Sequence, residues 1–362
     1  MVRIKTCSIF LLLSLWSTSY GQVDSAIITK PKIAISGFVD VFYCYDFNKP
    51  ETHRRQDFLY NHNRHNEVNI NLALIKFAIT QPKYRANIAL HTGTYVEDNY
   101  SNEPVALRHI YEANIGVALA KNSKLWLDAG IFPSHIGFES AISKDSWTLT
   151  RSMLAENSPY YLTGAKITYS PKAQWEIAGI VCNGWQVIQR PYGDPSLSGG
   201  TQVKFTPNKK YTFNWSTYVG EEKIGTRMIM RYFSNLFAQM QLTDKLGATI
   251  GFDFGVQQEH PDSNTYQNWM SPIAIVRYSV NSKMAIALRG EYYQDQNSTI
   301  VSTATGSFNT MGVSLNIDYS PAENVLFRIE GRWFKDQDKI FVRNNSLVNT
   351  NSFVTSSIAL SF

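Results

Sequence analysis

The sequence predicts an all-β fold, a transmembrane antiparallel up-and-down barrel of about sixteen strands. Three observations carry that expectation. Apolar and polar residues alternate with period two almost to the last residue. The connections switch between tight turns and long polar loops, and aromatic residues gather toward strand ends. Composition agrees. Of 362 residues only 17% are charged, against about 25% in an ordinary domain, while 13% are aromatic and 44% apolar. That apolar fraction excludes disorder, and a net charge of +5 with no basic block argues against nucleic acid as a partner.

Residues 1–21 read as a cleaved signal peptide. Arg3 and Lys5 precede the short apolar core around Ile9-Phe10-Leu11-Leu12-Leu13, and Ser19-Tyr20-Gly21 offers the cut before Gln22. About ten apolar residues are too few to span roughly 30 Å of hydrocarbon. Cys7 stands before the apolar core, which argues against a lipoprotein. Residues 22–32 are expected to be a short periplasmic segment, too brief for a plug domain, and 33–362 a single barrel.

Strands are expected over 33–46, 67–80, 84–95, 108–120, 124–132, 161–170, 174–184, 199–206, 210–220, 226–242, 245–257, 270–281, 283–294, 309–320, 324–335 and 352–362. The clearest runs from Leu246 to Gln257, where Leu246, Ala248, Ile250, Phe252, Phe254 and Val256 alternate with small or polar residues. Met311, Val313, Leu315, Ile317 and Tyr319 repeat the pattern, as do Met284, Ile286, Leu288 and Tyr292. The second segment changes phase near Leu74-Ile75, where a bulge is expected. Gln81-Pro82-Lys83, Lys121-Asn122-Ser123, Ser170-Pro171-Lys172-Ala173, Thr206-Pro207-Asn208-Lys209, Thr243-Asp244, Asn281-Ser282 and Ser320-Pro321-Ala322-Glu323 form the tight turns. The longer connections are polar, with a shorter one near Glu221-Glu222-Lys223. Tyr84, Tyr169, Trp175, Phe205, Tyr211 and Tyr319 flank the tight turns, and Tyr43, Tyr45, Tyr95, Tyr292 and Trp333 the opposite ends. Two such rings fit the two membrane–water interfaces.

The chain ends Ser356-Ser357-Ile358-Ala359-Leu360-Ser361-Phe362. This resembles the last strand of bacterial outer-membrane proteins, and the resemblance implies that Phe362 is read by the barrel assembly machinery. A second resemblance rests on Gly130-Ile131-Phe132-Pro133, Ile136-Gly137-Phe138-Glu139, Thr150-Arg151-Ser152-Met153, Pro159-Tyr160-Tyr161-Leu162-Thr163-Gly164 and Asn183-Gly184-Trp185. This series is similar to the OmpL-like putative β-barrel porin family of Bacteroidota-type outer membranes. It implies a barrel among outer-membrane lipids that passes small hydrophilic solutes and ions passively, without a cofactor. By analogy with sixteen-stranded porins it also implies a homotrimer.

An interior that wide cannot be filled by side chains, so an aqueous channel is expected. The longest loop, about 133–160, follows the fifth strand and carries Glu139, Lys144, Asp145, Arg151 and Glu156. By position and length it corresponds to the loop that narrows general porins, and it is the expected constriction. The inward faces of later strands contribute Arg227, Arg231, Arg277, Arg289, Arg328 and Arg332. Facing acidic loop residues, they would set a transverse field that filters solutes. Paired with Glu291, Asp318 and Glu330, they would instead stiffen the wall. The near balance of charge predicts slight anion preference.

Other constellations are weaker. His53, His62 and His65 lie in the first long loop near Glu51 and Glu67, at spacings that match no standard metal site. Cys44 and Cys182 stand on the first and seventh strands, too far apart to bridge, and are expected to be free thiols. No serine beside His91 or His109 marks a nucleophile–base pair, so an outer-membrane hydrolase is disfavoured, and an adhesin is the other alternative.

Overall fold

The computed structural model describes residues 31–120, 122–190, 192–193 and 196–362. The expected boundaries at residues 21 and 22 fall outside these. Fifteen strands run in order: β1 (Lys32–Asp46), β2 (Val68–Thr80), β3 (Tyr84–Thr92), β4 (Ile110–Ala118), β5 (Leu125–Pro133), β6 (Tyr161–Tyr169), β7 (Trp175–Cys182), β8 (Ser198–Asn208), β9 (Tyr211–Ile224), β10 (Arg227–Gln241), β11 (Leu246–Gln258), β12 (Tyr266–Ser279), β13 (Met284–Asp295), β14 (Phe308–Ala322) and β15 (Val325–Asp336). A two-stranded ribbon, β16 (Phe341–Arg343) and β17 (Ser346–Val348), precedes the last strand, β18 (Thr350–Ser361).

Each barrel strand pairs antiparallel with its neighbours, and β18 pairs with both β15 and β1. The sheet therefore closes at sixteen strands and leaves no edge, which is what lets a β chain satisfy its backbone in lipid. Alternation decides which side each residue faces. In β11, Ile250, Phe252 and Phe254 are exposed outward, while Thr249, Asp253 and Gln257 are buried inward. Among the described residues no helix is long and apolar enough to cross a membrane; the strands are the spanning elements.

Four details differ from the sequence expectation. The bulge in β2 falls at Asn71, not at Leu74-Ile75: Asp40 pairs with Leu72 and Val41 with Ile70, leaving Asn71 unpaired. Strand β3 stops at Thr92, because Gly93 adopts φ 125° and a Cβ there would lie 2.4 Å from the Asn71 carbonyl oxygen. The chain then turns into helix α1 (Thr94–Asn99), so Tyr95 is fully buried and takes no part in an interfacial ring. Finally, Glu221-Glu222-Lys223 belongs to β9, whose ladder with β10 continues to the Ile224–Arg227 pair around Gly225 at φ 63°.

The long loops fold into the barrel. Phe58 and Leu59, Ile136 and Met153, Val301 and Phe341 come from four different connections and share one buried cluster with inward-facing Phe42, Phe233, Trp269, Phe308, Phe334 and Phe353. The ring of Phe58 lies 4.7 Å from that of Phe308. Backbone that enters the lumen thus brings its own apolar side chains, and loops take up part of the excess width of the barrel.

Candidate functional site

The loop between β5 and β6 crosses the interior and is stitched to the wall by inward side chains of five strands. Asp40 on β1 accepts the Ser143 hydroxyl at 2.8 Å. Asn235 on β10 accepts the Gly137 N–H at 3.1 Å, and Asn316 on β14 accepts the Leu149 N–H at 3.0 Å. Glu291 on β13 accepts the Met153 N–H at 2.7 Å, and Glu330 on β15 accepts the Thr150 N–H at 2.6 Å. A largely irregular buried segment has little secondary structure to satisfy its backbone, so wall side chains supply many of its partners.

The arginines supply the complementary donors. Arg289 donates to Thr148 Oγ1 at 3.0 Å, to the Thr150 carbonyl at 2.7 Å and to Glu330 at 2.6 Å. Arg332 donates to the Arg151 carbonyl at 2.8 Å and to Glu291 at 2.5 Å. Arg328 donates to the carbonyls of Ser143 and Ser146 and to Asp318. All three are buried beneath the loop. Of the two roles open from sequence, their geometry is that of wall carboxylate pairing extended to the loop backbone. Arg277 lies 3.7 Å from Asp318, Arg231 donates to Gln257 at 2.9 Å, and exposed Arg227 meets His260 Nδ1 at 3.0 Å. The six arginines therefore do not form one exposed ladder.

The five loop charges also separate. Glu139 and Arg151 line a cavity of about 330 Å³ between the loop and the wall, together with Tyr111, Lys204, Thr212, Phe237 and Gln239. Lys144 and Asp145 are exposed, and the Lys144 ammonium donates to Ser361 Oγ. Glu156 is buried away from the cavity and accepts the N–H groups of Tyr60 at 3.1 Å and Asn61 at 3.2 Å, tying this loop to the first long loop. Burial is the largest influence on Glu156 and pushes its carboxyl above the usual carboxylate range, against the pull of Arg151 and Tyr160.

Of the loop histidines, His62 Nε2 lies 2.9 Å from Asp40, His65 Nδ1 accepts the Asp46 N–H, and His53 Nδ1 contacts the His65 carbonyl. Cys44 and Cys182 are free and buried.

Sequence reasoning missed what makes room for the loop. Gly247 and Gly251 stand at inward positions of β11; a Cβ at Gly247 would lie 2.7 Å from the Trp147 ring, and one at Gly251 2.8 Å from that of Phe138. Glycines four residues apart on one strand face are the signal, since they leave a flat strip of wall. A Gly251→Val substitution is expected to force the loop outward and destabilise the barrel by about 1–3 kcal/mol. An unchanged urea midpoint would show that the loop does not rest there.

A family model described as "Putative beta-barrel porin-2, OmpL-like" matches residues 32–362. No curated protein matches the chain. Among solved structures, the anion-selective porin from Comamonas acidovorans is 8% identical, with a TM-score of 0.60 over 92% of this chain and 100% of that one. The outer membrane channel DcaP of Acinetobacter baumannii is 9% identical, with a TM-score of 0.61 over 92% and 97%. In-vitro folded OmpT of Vibrio cholerae, in its trimer form, is 8% identical, with a TM-score of 0.59 over 92% and 100%. At these identities the likeness is one of fold.

Proposed function

Since the chain belongs to the OmpL-like putative beta-barrel porin-2 family, matched over residues 32–362, we propose that it is an outer-membrane porin for passive diffusion of small hydrophilic solutes and ions. One observation carries the reading. A closed sixteen-strand barrel faces outward with apolar side chains, and its interior keeps a cavity of about 330 Å³ beside the inward-folded loop. Barrels of this strand number enclose more space than side chains fill, and the remainder serves as an aqueous path. In this reading the cavity beside loop 133–160 is the narrow part of that path, and Arg151 is the loop charge that meets solute there. Exposed Asp145 is a further loop charge of the constriction, while Glu139, Lys144 and Glu156 position the loop, as do Arg289, Arg328 and Arg332.

The remaining assignments belong to the same proposal. Residues 1–21 are removed on export, 22–32 stay in the periplasm, and the tight turns face the periplasm. Phe362 is the assembly signal, and the protein associates as a homotrimer, as the Vibrio cholerae OmpT structure does in its trimer form. No catalytic role is proposed. Purified protein in planar lipid bilayers is expected to give discrete conductance steps and a slight anion preference. A protein that inserts yet gives no steps overturns the channel and favours an adhesive barrel.

A further inference from the structure

We propose that the cavity between loop 133–160 and strands β8–β10 is a binding site for small carboxylate-bearing anions, held by Lys204 and Arg151. The inference rests on the porin reading and names the class of solute that the narrow part selects.

Charge pairing along the wall singles out Lys204. On the inward face of β2–β6, Lys76 lies 2.6 Å from Glu112 and Arg85 lies 2.5 Å from Asp128, so those acids are neutralised. Among the described residues, Lys166 and Lys204 form no ion pair. Lys166 instead sits 5.2 Å from the Phe132 ring centroid, nearer the long-loop end. Lys204 lines the cavity itself. Its register partners are Glu176 on β7 and Asn214 on β9, and Glu176 does not come within ion-pair distance.

Arg151 faces Lys204's cavity from the loop. Its guanidinium lies 3.4 Å from the Tyr160 ring centroid, which fixes its plane, and one terminal nitrogen donates to the Ala155 carbonyl at 3.1 Å. Its Nε is buried without a hydrogen-bond partner, so part of the guanidinium's hydrogen-bonding capacity stays unmet inside the lining. Glu139, the acid on the same lining, is turned away. Its side chain is 1% exposed and 4.0 Å from Arg289, and its Oε2 accepts the Ser152 N–H at 2.9 Å. Two cations thus meet across a space where one acid is already engaged, with Thr212 and Gln239 as neutral polar neighbours. At about 330 Å³ the space suits a small solute, near the low end of ligand-pocket sizes. A carboxylate in this space is attracted by both the Arg151 guanidinium and the Lys204 ammonium, whereas a neutral solute leaves Lys204 without a counter-charge.

Planar-bilayer recordings of the full protein test this, with succinate as the probe. The wild type is expected to give an anion-side reversal potential in a KCl gradient, and succinate is expected to reduce the KCl current. Lys204→Gln is expected to raise the half-blocking succinate concentration about tenfold. Lys204→Glu should move the reversal potential to the cation side. Lys209→Glu, the same charge change on an exposed turn, should alter neither. Steps of normal size from Lys204→Glu, with reversal potential and block both unchanged, would overturn the site. If the wild type gives no steps, the porin reading falls. Calorimetric titration of succinate into detergent-held wild type and Lys204→Gln then judges the site separately: tenfold weaker binding by the variant supports it, and equal affinities refute it.

Discussion

Replacing Arg289 by alanine is expected to release loop 133–160 from the wall and to cost the barrel about 3–5 kcal/mol. The side chain is fully buried. Its guanidinium joins Thr148, Thr150 and Glu330 by hydrogen bonds and reaches Glu291 at 3.3 Å. Alanine leaves Glu330 and the Thr150 carbonyl without that donor in a closed site. Removing one member of a buried charge network costs more than the pair itself contributes, because the desolvated partner remains. Two measurements should move together. The urea midpoint of the folded barrel falls, and single-channel conductance rises as the loop no longer narrows the interior. Arg289→Lys keeps the charge but not the planar fork, and should recover only part of each. A variant with wild-type midpoint and conductance would show that Arg289 does not hold the loop.

Substituting Gly37 by valine is expected to push the Phe362 ring aside and loosen the barrel seam. The ring of Phe362 covers this glycine on β1: a Cβ at Gly37 would lie 2.2 Å from the ring. The two residues also exchange backbone hydrogen bonds, Gly37 N–H to Phe362 O at 2.9 Å and Phe362 N–H to Gly37 O at 3.0 Å. They complete the seam where the first and last strands meet, with Phe38 opposite Ser361. A β-branched side chain must displace the terminal ring, and each backbone pair that frays with it at the end of the seam is left unpaired in lipid. On unheated gels the compact, fast-migrating form should be diminished. Gly37→Val paired with Phe362→Ala removes the clash and should restore part of it. An undiminished compact band in the single variant would refute the role of this contact.

Much of the fold was legible beforehand because a strand's faces are set by what they touch. In β11 every second residue is apolar, and those residues are the outward ones. The site was legible only in outline. The length and position of loop 133–160 pointed to an inward fold, and Glu139 and Arg151 were among its charges. Alternation alone places the arginines inward and leaves both a field-setting ladder and wall pairing open. Alternation cannot say whether an inward residue meets water or a loop. Tyr95 leaves the expected ring for a related reason: one glycine conformation, at Gly93, ends the strand three residues before it.

By itself the sequence determined a closed membrane barrel, its strand spans and its inside and outside, since period-two patterning is a local property that each strand carries alone. Only the tertiary structure decided how the interior is used. Arg289 meets Thr148 across 141 positions and Glu330 across 41. Lys204 becomes distinctive only because Glu112 and Asp128 are taken by other cations and Glu176, its register partner, stays beyond ion-pair distance. Such pairings depend on distances in a folded lumen, where low dielectric makes every charge seek a partner, and no spacing along the chain encodes them.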